Sequence, residues 1–475
     1  MNKTITPPQD SKHHISFFLA LIIIGITLIV IQPSKASAET LEPEDGLYFI
    51  EYTADTRWSL DINQASSVQS PVTLNQTNAS AAQYLLVEKQ DNDWYRLTTF
   101  CGTKSSMAYD ASGPLVENRN TLIQKKWDGS DSQLWRFILN ENNSVSIYPK
   151  SNESLCINLK QDNRSPKATI QLYPWSNNDI ASQWSLVKKA VSSNAHTTTI
   201  EDDKTFVFPQ NSQTIYLTNL QDSSAHIIEK PDGFYESYDE NGVLSKSTYE
   251  NGFYKGNGIF KIQYDTIGYY QNRPIQAIVT VSNISSDNPK PYNRSGVGVI
   301  ENTTLDFQWV SGNWGSSGSG KATFFDGFCI MNSSSYDLTY SLSYADTGEP
   351  LSLSGSYMSI TSLNGDLPQY DGDTASYEGV AYKYNDYQTF VLQTNNLKEY
   401  LPGIYFGDSN NFTDVVGSET FTKNAVAFLI EDETPTFTIF SIIQGNGAAS
   451  WSAPNLSPLT ILEPNKPVKN VSITN

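Results

Sequence analysis

The stretch TIQLYPWSNNDIASQW at residues 169–184 decides the reading of this chain, because its pattern occurs twice upstream at nearly constant spacing. Ala181-Ser182-Gln183-Trp184 aligns with Ala81-Ala82-Gln83-Tyr84, and Ser132-Gln133-Leu134-Trp135 falls between them. The aromatics Tyr84, Trp135 and Trp184 then lie 51 and 49 residues apart. A period of about fifty residues without long helical signals indicates a threefold repeat.

Each repeat opens on a short apolar strand, ending at Asn63, Asp110 and Asn158 in this alignment. A second strand follows in each (Val72-Thr73-Leu74, Leu122-Ile123-Gln124, Ile170-Gln171-Leu172), then a polar loop and the aromatic. The segments around Trp94-Tyr95-Arg96-Leu97 and Val145-Ser146-Ile147-Tyr148 supply strands between repeats. Four short strands in each of three repeats predict a closed, twelve-stranded all-β structure with the aromatics buried near a common axis.

At these residues the chain resembles the ricin-type β-trefoil lectin family. Gly46-Leu47-Tyr48-Phe49-Ile50 is similar to its opening strand, Leu155-Cys156-Ile157-Asn158 to its Cys-Leu-Asp-Val segment, and Ser132-Gln133-Leu134-Trp135 to its Gln-x-Trp motif. The resemblance covers residues 46–190 and implies a lectin domain that binds glycans or glycoproteins. In such domains an Asp at the end of the first strand accepts sugar hydroxyls, a ring 15 residues on stacks on the sugar, and carboxamides complete the rim. Carried onto the third repeat, this gives Asn158 at the Asp position, Tyr173 at the ring, Asn177, Asn178 and Asp179 in the loop, and Ser182 at the usual Gln position. In the second repeat Asp110 is retained, Lys126 takes the ring position, and Trp127 is one place along. The first repeat, with Asn63 and Asn75, carries neither acid nor ring.

Downstream, residues 191–204 read as a polar linker, and His196 within it as a solvated residue. Residues 205–463 alternate short strands with Gly, Asn and Asp turns, which predicts a β-sandwich region of one large or two smaller units. The runs 425–430 and 436–443 suggest a hairpin across Glu431-Asp432-Glu433-Thr434-Pro435, and 396–401 suggests a helical turn. The region resembles the binding regions of Gram-positive surface adhesins, notably around the Thr347-Gly348-Glu349-Pro350 turn. Residues 464–475 read as a tail. Trp309 and Trp314 beside a Gly/Ser-rich loop read as an exposed aromatic contact surface or as a mobile loop with Trp309 in the core. The acidic group Asp366, Asp371, Asp373 and Glu378 does not match an EF-hand spacing.

Residues 1–38 read as an export signal, with Lys3 and Lys12 before the apolar run 15–31 and Ala36-Ser37-Ala38 as the cleavage site. A secreted or surface-associated protein, without integral membrane contact after signal removal, is therefore expected. A formal net charge of −19 opposes nucleic-acid binding. The three cysteines, Cys101, Cys156 and Cys329, are too few for a disulfide scaffold. A Cys101–Cys156 bridge and two buried free thiols both stay open.

No cofactor, metal or catalytic group is expected. Only His196 and His226 lie beyond residue 46, and no nucleophile or phosphate-loop motif is present. Three function classes follow: a glycan-binding lectin or adhesin, a glycoside hydrolase using paired carboxylates such as Asp239/Glu240 or Glu431/Glu433, and a structural surface protein with a silent trefoil.

Overall fold

The computed structural model describes residues 39–455 apart from 79, 102–106, 113–115, 177–178, 202–224, 232–233, 239–243, 251–258, 286–291, 295–297, 301–303, 310–323, 325–327, 332, 367–375, 409–422, 444–448 and 453. The export signal, the tail, Asn177, Asn178, Trp314, Asp371 and Asp373 thus lie outside the described residues, as do the side chains of Trp309, Asp366 and Cys329.

The fold is all-β. The first repeat contributes Gly46–Tyr52, Trp58–Ile62, Ser70–Gln76 and Leu85–Asp91; the second Trp94–Thr99, Met107–Asp110, Ile123–Lys126 and Leu134–Leu139. The third contributes Val145–Pro149, Leu155–Leu159, Ala168–Pro174 and Trp184–Val191. The outer two strands of each repeat form a six-stranded ring, which closes where Trp184–Val191 pairs with Gly46–Tyr52. The inner two form three hairpins, joined to one another through Ser70–Gln76 and through a Thr121–Gln171 bridge. A barrel capped by three hairpins is a β-trefoil, and closure leaves the ring no free edge. The chain enters the ring closely packed: a Cβ on Gly46 would stand 2.3 Å from the carbonyl oxygen of Ala190. One strand beyond the expected twelve, Glu39–Leu41, pairs antiparallel with Leu134–Leu139.

Three equivalent turns fix the register. The N–H groups of Gln83, Gln133 and Ser182 reach the carbonyls of Ser80, Ser130 and Asp179 at 2.9, 2.9 and 3.2 Å. Two places later stand Leu85, Trp135 and Trp184. The indole N–H groups of Trp135 and Trp184 donate to the carbonyls of Tyr109 and Ile157 at 3.1 and 2.9 Å. Leu85, not Tyr84, is therefore the first-repeat counterpart of the tryptophans. Neighbouring side chains in a strand face opposite ways, so Tyr84 lies one position out of phase with them. It is nevertheless fully buried, and Phe440 of the C-terminal region packs perpendicular to it with ring centroids 6.5 Å apart.

That contact belongs to a layered arrangement. A ten-stranded sheet includes Phe260–Tyr270, Arg273–Ser285, Ser335–Tyr344, Thr436–Ile443, Ser376–Tyr382 and Ile404–Gly407. A five-stranded sheet includes Asn194–Ile200, Asp386–Leu392, Val426–Leu429 and Tyr357–Ile360. Side chains from both sheets, including Val380, Phe437, Ile439, Tyr387 and Phe428, share one core, so the pair forms a sandwich. Alternation along the same strands sends Ala381, Phe406, Phe440 and Ile442 the other way, into the trefoil core. There Phe100 stacks on Tyr400 at 5.0 Å and meets Phe406 edge-on at 5.5 Å.

Three expectations change. Within the expected linker, Asn194–Ile200 is a strand parallel to Asp386–Leu392, where the exposed Thr197 hydrogen-bonds Thr389 and Tyr405 at 3.0 and 2.6 Å. His196 on the same strand is exposed, as a solvated residue should be. The runs 425–430 and 436–443 do not pair: Val426–Leu429 and Thr436–Ile443 lie in opposite layers, with Phe428 and Phe437 packed edge-on across the core at 5.0 Å. The expected helical turn is the strand Leu397–Leu401, paired with Ile404–Gly407. The turn at Gly348, by contrast, joins paired strands as expected, with φ +73° at the glycine.

Candidate functional site

The three hairpins place equivalent positions side by side. Asp61 faces Thr73, Asp110 faces Ile123 and Asn158 faces Gln171 across their ladders. The first-repeat acid position is therefore Asp61, two residues before Asn63. Two residues beyond these partners come Asn75, Lys125 and Tyr173, so the second-repeat ring position is Lys125 rather than Lys126.

The first two repeats are closed by their own side chains. In the second, Asp110 is fully buried and accepts from Ser112 N–H at 2.7 Å and Ser132 Oγ at 3.2 Å, while Lys125 Nζ lies 3.8 Å away. Trp127 is half-buried, with the Arg96 guanidinium 4.6 Å over its ring. In the first, Asp61 is buried and accepts from Gln83 Nε2 at 3.2 Å; burial pushes its carboxyl up to about 7, against hydrogen bonds from Gln83 and Asn75. Gln83 and Gln133 also tie their loops shut. Each side-chain oxygen takes a loop N–H, from Asn78 and Asp128 at 2.7 and 2.8 Å, and each amide donates to the carbonyl of Gln76 or Lys126.

In the third repeat Ser182 stands where those glutamines do, and its Oγ bonds Asn158 and Asp179. A cleft of about 690 Å³ opens there, lined by Asn158, Gln171, Tyr173, Asp179 and Ile180 among others. Tyr173 is half-buried and Ile180 is 44% exposed at the cleft. Beneath it runs a polar chain. Gln171 Nε2 donates to Asn158 Oδ1 at 2.9 Å, and Asn158 Nδ2 donates to Ser182 Oγ at 2.9 Å and Asp179 Oδ2 at 3.0 Å. Asp179 also accepts from Ser182 Oγ and from Ala181 N–H, both at 3.1 Å.

Counting lone pairs gives the chemistry. Both amide hydrogens of Asn158 are committed, and the residue is 3% exposed. An ionised carboxylate offers about four acceptor sites, and three of those on Asp179 are taken. Asp179 is thus the acid of this cleft, supplied by the loop instead of the strand. The sequence signal for it is local: Asp179 caps the short turn Ile180–Ser182, the usual place for an Asp ahead of a helical turn.

A second acid, Asp162, also lines the cleft. It accepts from Tyr52 Oη at 2.6 Å and from Arg164 at 2.9 and 3.1 Å. Burial alone raises its carboxyl, but the Arg164 and Tyr52 hydrogen bonds hold it below the ordinary range. Cys101 and Cys156 are buried and form no disulfide, and Cys156 Sγ donates to the Tyr173 carbonyl at 3.4 Å; burial raises both thiols, Cys156 to about 12, so neither is a nucleophile at neutral pH. Among the described residues no cluster of His, Cys, Asp or Glu could hold a metal ion.

No family model and no curated protein matches the chain. Among solved structures it is similar to a designed threefold symmetric protein, ThreeFoil, at 20% identity over 30% of this chain and 100% of that one, with a TM-score of 0.28. The agglutinin of Rhizoctonia solani matches 31% of this chain and 99% of its own at 11% identity and a TM-score of 0.27. Glucan binding protein C of Streptococcus mutans matches 54% and 80% at 14% identity and a TM-score of 0.36. The trefoil itself rests on the closed ring, the three turns and the two tryptophan hydrogen bonds.

Proposed function

We propose that this protein is a glycan-binding protein of the lectin or adhesin type, with its sugar site in the third trefoil repeat. The observation that carries this reading is the cleft itself, where the Asp179 carboxylate, pinned by Asn158 and Ser182, shares a wall with the Tyr173 ring. A sugar needs that pairing: a carboxylate for hydroxyls and a ring for the C–H face. Asn177 and Asn178 complete the rim in this proposal. Asp110 and Trp127 make a weaker second site, since internal partners already occupy both. An extracellular setting, secreted or surface-associated, belongs to the same proposal and rests on the pattern of residues 1–38.

Catalysis has less support. A glycosidase acid must hold its proton near neutral pH, whereas Asp162 is held below the ordinary range. Glu431 and Glu433 are both exposed in a turn, and Asp239 and Glu240 lie outside the described residues.

The deciding experiment is a glycan array with the full chain, since Phe440 and Tyr400 cover apolar trefoil surface that an isolated domain would expose. Binding that weakens in Tyr173→Ala and Asp179→Ala is the expected result. No binding above background, or binding indifferent to both substitutions, rejects the site.

A further inference from the structure

The cleft holds two cations whose side chains have no partner among the described residues. Arg119 and Lys160 both line it, and among the described residues neither side chain makes a hydrogen bond, ion pair or ring contact. The other arginines with described side chains are all committed: Arg57 to Asp55, Arg136 to Asp93 and Glu153, Arg164 to Asp162, Arg273 to Asp346, and Arg96 to the Trp127 ring. Among the arginines with described side chains, Arg119 is thus the exception in having no side-chain partner.

Arg119 is also delivered to the cleft from another repeat. It ends the loop between the second-repeat hairpin strands, and its N–H donates to the Leu172 carbonyl at 2.7 Å, on the strand that carries Tyr173. Asn120 continues the docking by accepting from Leu172 N–H at 2.9 Å. Arg119 adopts φ +73°, a left-handed conformation that non-glycine residues hold only when their surroundings impose it, and which recurs at ligand sites. Lys160 comes from the turn after Leu155–Leu159. Neither acid of the cleft forms an ion pair with them: Asp162 bonds Arg164 and Tyr52, and Asp179 bonds Asn158, Ser182 and Ala181 and keeps one acceptor site open.

We infer that the third-repeat site takes an acidic saccharide, whose carboxylate or sulfate is read by Arg119 and Lys160 while Tyr173 and Asp179 hold the sugar ring. This rests on the glycan-binding reading above. Arg119 supplies the fork that suits a planar or tetrahedral oxyanion, and Lys160 a point charge.

The test is calorimetric titration of the full chain with matched pairs: lactose against 3′- and 6′-sialyllactose for a carboxylate, and lactose against 3′-sulfolactose for a sulfate. At least tenfold tighter binding of one acidic class is expected, shrinking as salt rises from about 50 to 500 mM. Arg119→Gln should bring the acidic sugar down to the neutral level and leave the neutral one unchanged, with Lys160→Gln intermediate. Arg119→Lys separates charge from fork and should keep part of the preference. Equal affinities for neutral and acidic partners, or a preference untouched by Arg119→Gln, overturns the inference while leaving glycan binding standing. Absence of binding to every member overturns the inference, and the glycan array separately decides glycan binding. Both side chains are exposed, so thermal melts of the variants should match the parent and exclude misfolding as the cause.

Discussion

Asn158 Nδ2 donates to Asp179 Oδ2 at 3.0 Å, so the third repeat holds an amide on its strand and an acid on its loop. Asn158→Asp therefore should not improve the site. It places two carboxylates within hydrogen-bond distance, and like charges that close cannot both ionise freely. We expect about 1–3 kcal/mol lost at pH 7 in urea unfolding, recovered near pH 4 as one acid takes a proton. The double variant Asn158→Asp/Asp179→Asn restores one acid and one amide and should regain most of the stability. A loss that persists in the double variant would show that charge is not the cause.

The second repeat supplies a contrasting case. Trp127→Ala removes a half-buried ring stacked under Arg96, and glycan affinity should stay within about twofold if the third repeat dominates. Tyr173→Ala, which removes a ring contact of about 0.5–1.5 kcal/mol, should weaken binding roughly 2- to 12-fold. Titration of both variants against one array hit compares them directly.

Asp61 sets a pH dependence. Its folded pKa of about 7 lies above the ordinary carboxyl value, so between about pH 4 and 7 the folded chain keeps a proton that the unfolded chain has released. Stability from this group is present below about pH 4, falls by up to about 1.4 kcal/mol per pH unit across the window, and is flat above it. Asp61→Asn lacks the titration. The difference in unfolding free energy between parent and variant should change with pH across this window, and a difference independent of pH would assign the proton elsewhere.

The contact of the trefoil with the ten-stranded sheet makes the two regions one cooperative body. Phe440→Ala empties a fully buried position against Tyr84 and Phe406 and should cost about 3–5 kcal/mol. Calorimetry of the parent should give one transition for trefoil and sandwich together. Two independent transitions, with Phe440→Ala shifting only the later strands, would contradict the shared core.

Much of this was legible in the residues alone. The recurrence of Gln133-Leu134-Trp135 and Ser182-Gln183-Trp184 carried the threefold repeat, and strand periodicity carried the all-β class, because both depend on local alternation and fixed spacing. Register to within one or two residues was not legible. Tyr84 mimics the tryptophans in sequence but sits one place off, and Asp61 hides two places before Asn63, since only the turn hydrogen bonds of Ser80, Ser130 and Asp179 fix the frame.

What the sequence by itself determined is therefore the trefoil, the sandwich and the neighbourhood of Tyr173 and Asn158. Tertiary structure decided that a cleft lies at the repeat whose sequence shows Ser182 in place of a glutamine. It also decided that the acid is Asp179 and that Arg119, from another repeat, joins the cleft. The ties of Gln83 and Gln133 are local, but the Asn158–Asp179 and Arg119–Leu172 hydrogen bonds join residues far apart in the chain, and spacing along the chain does not encode those.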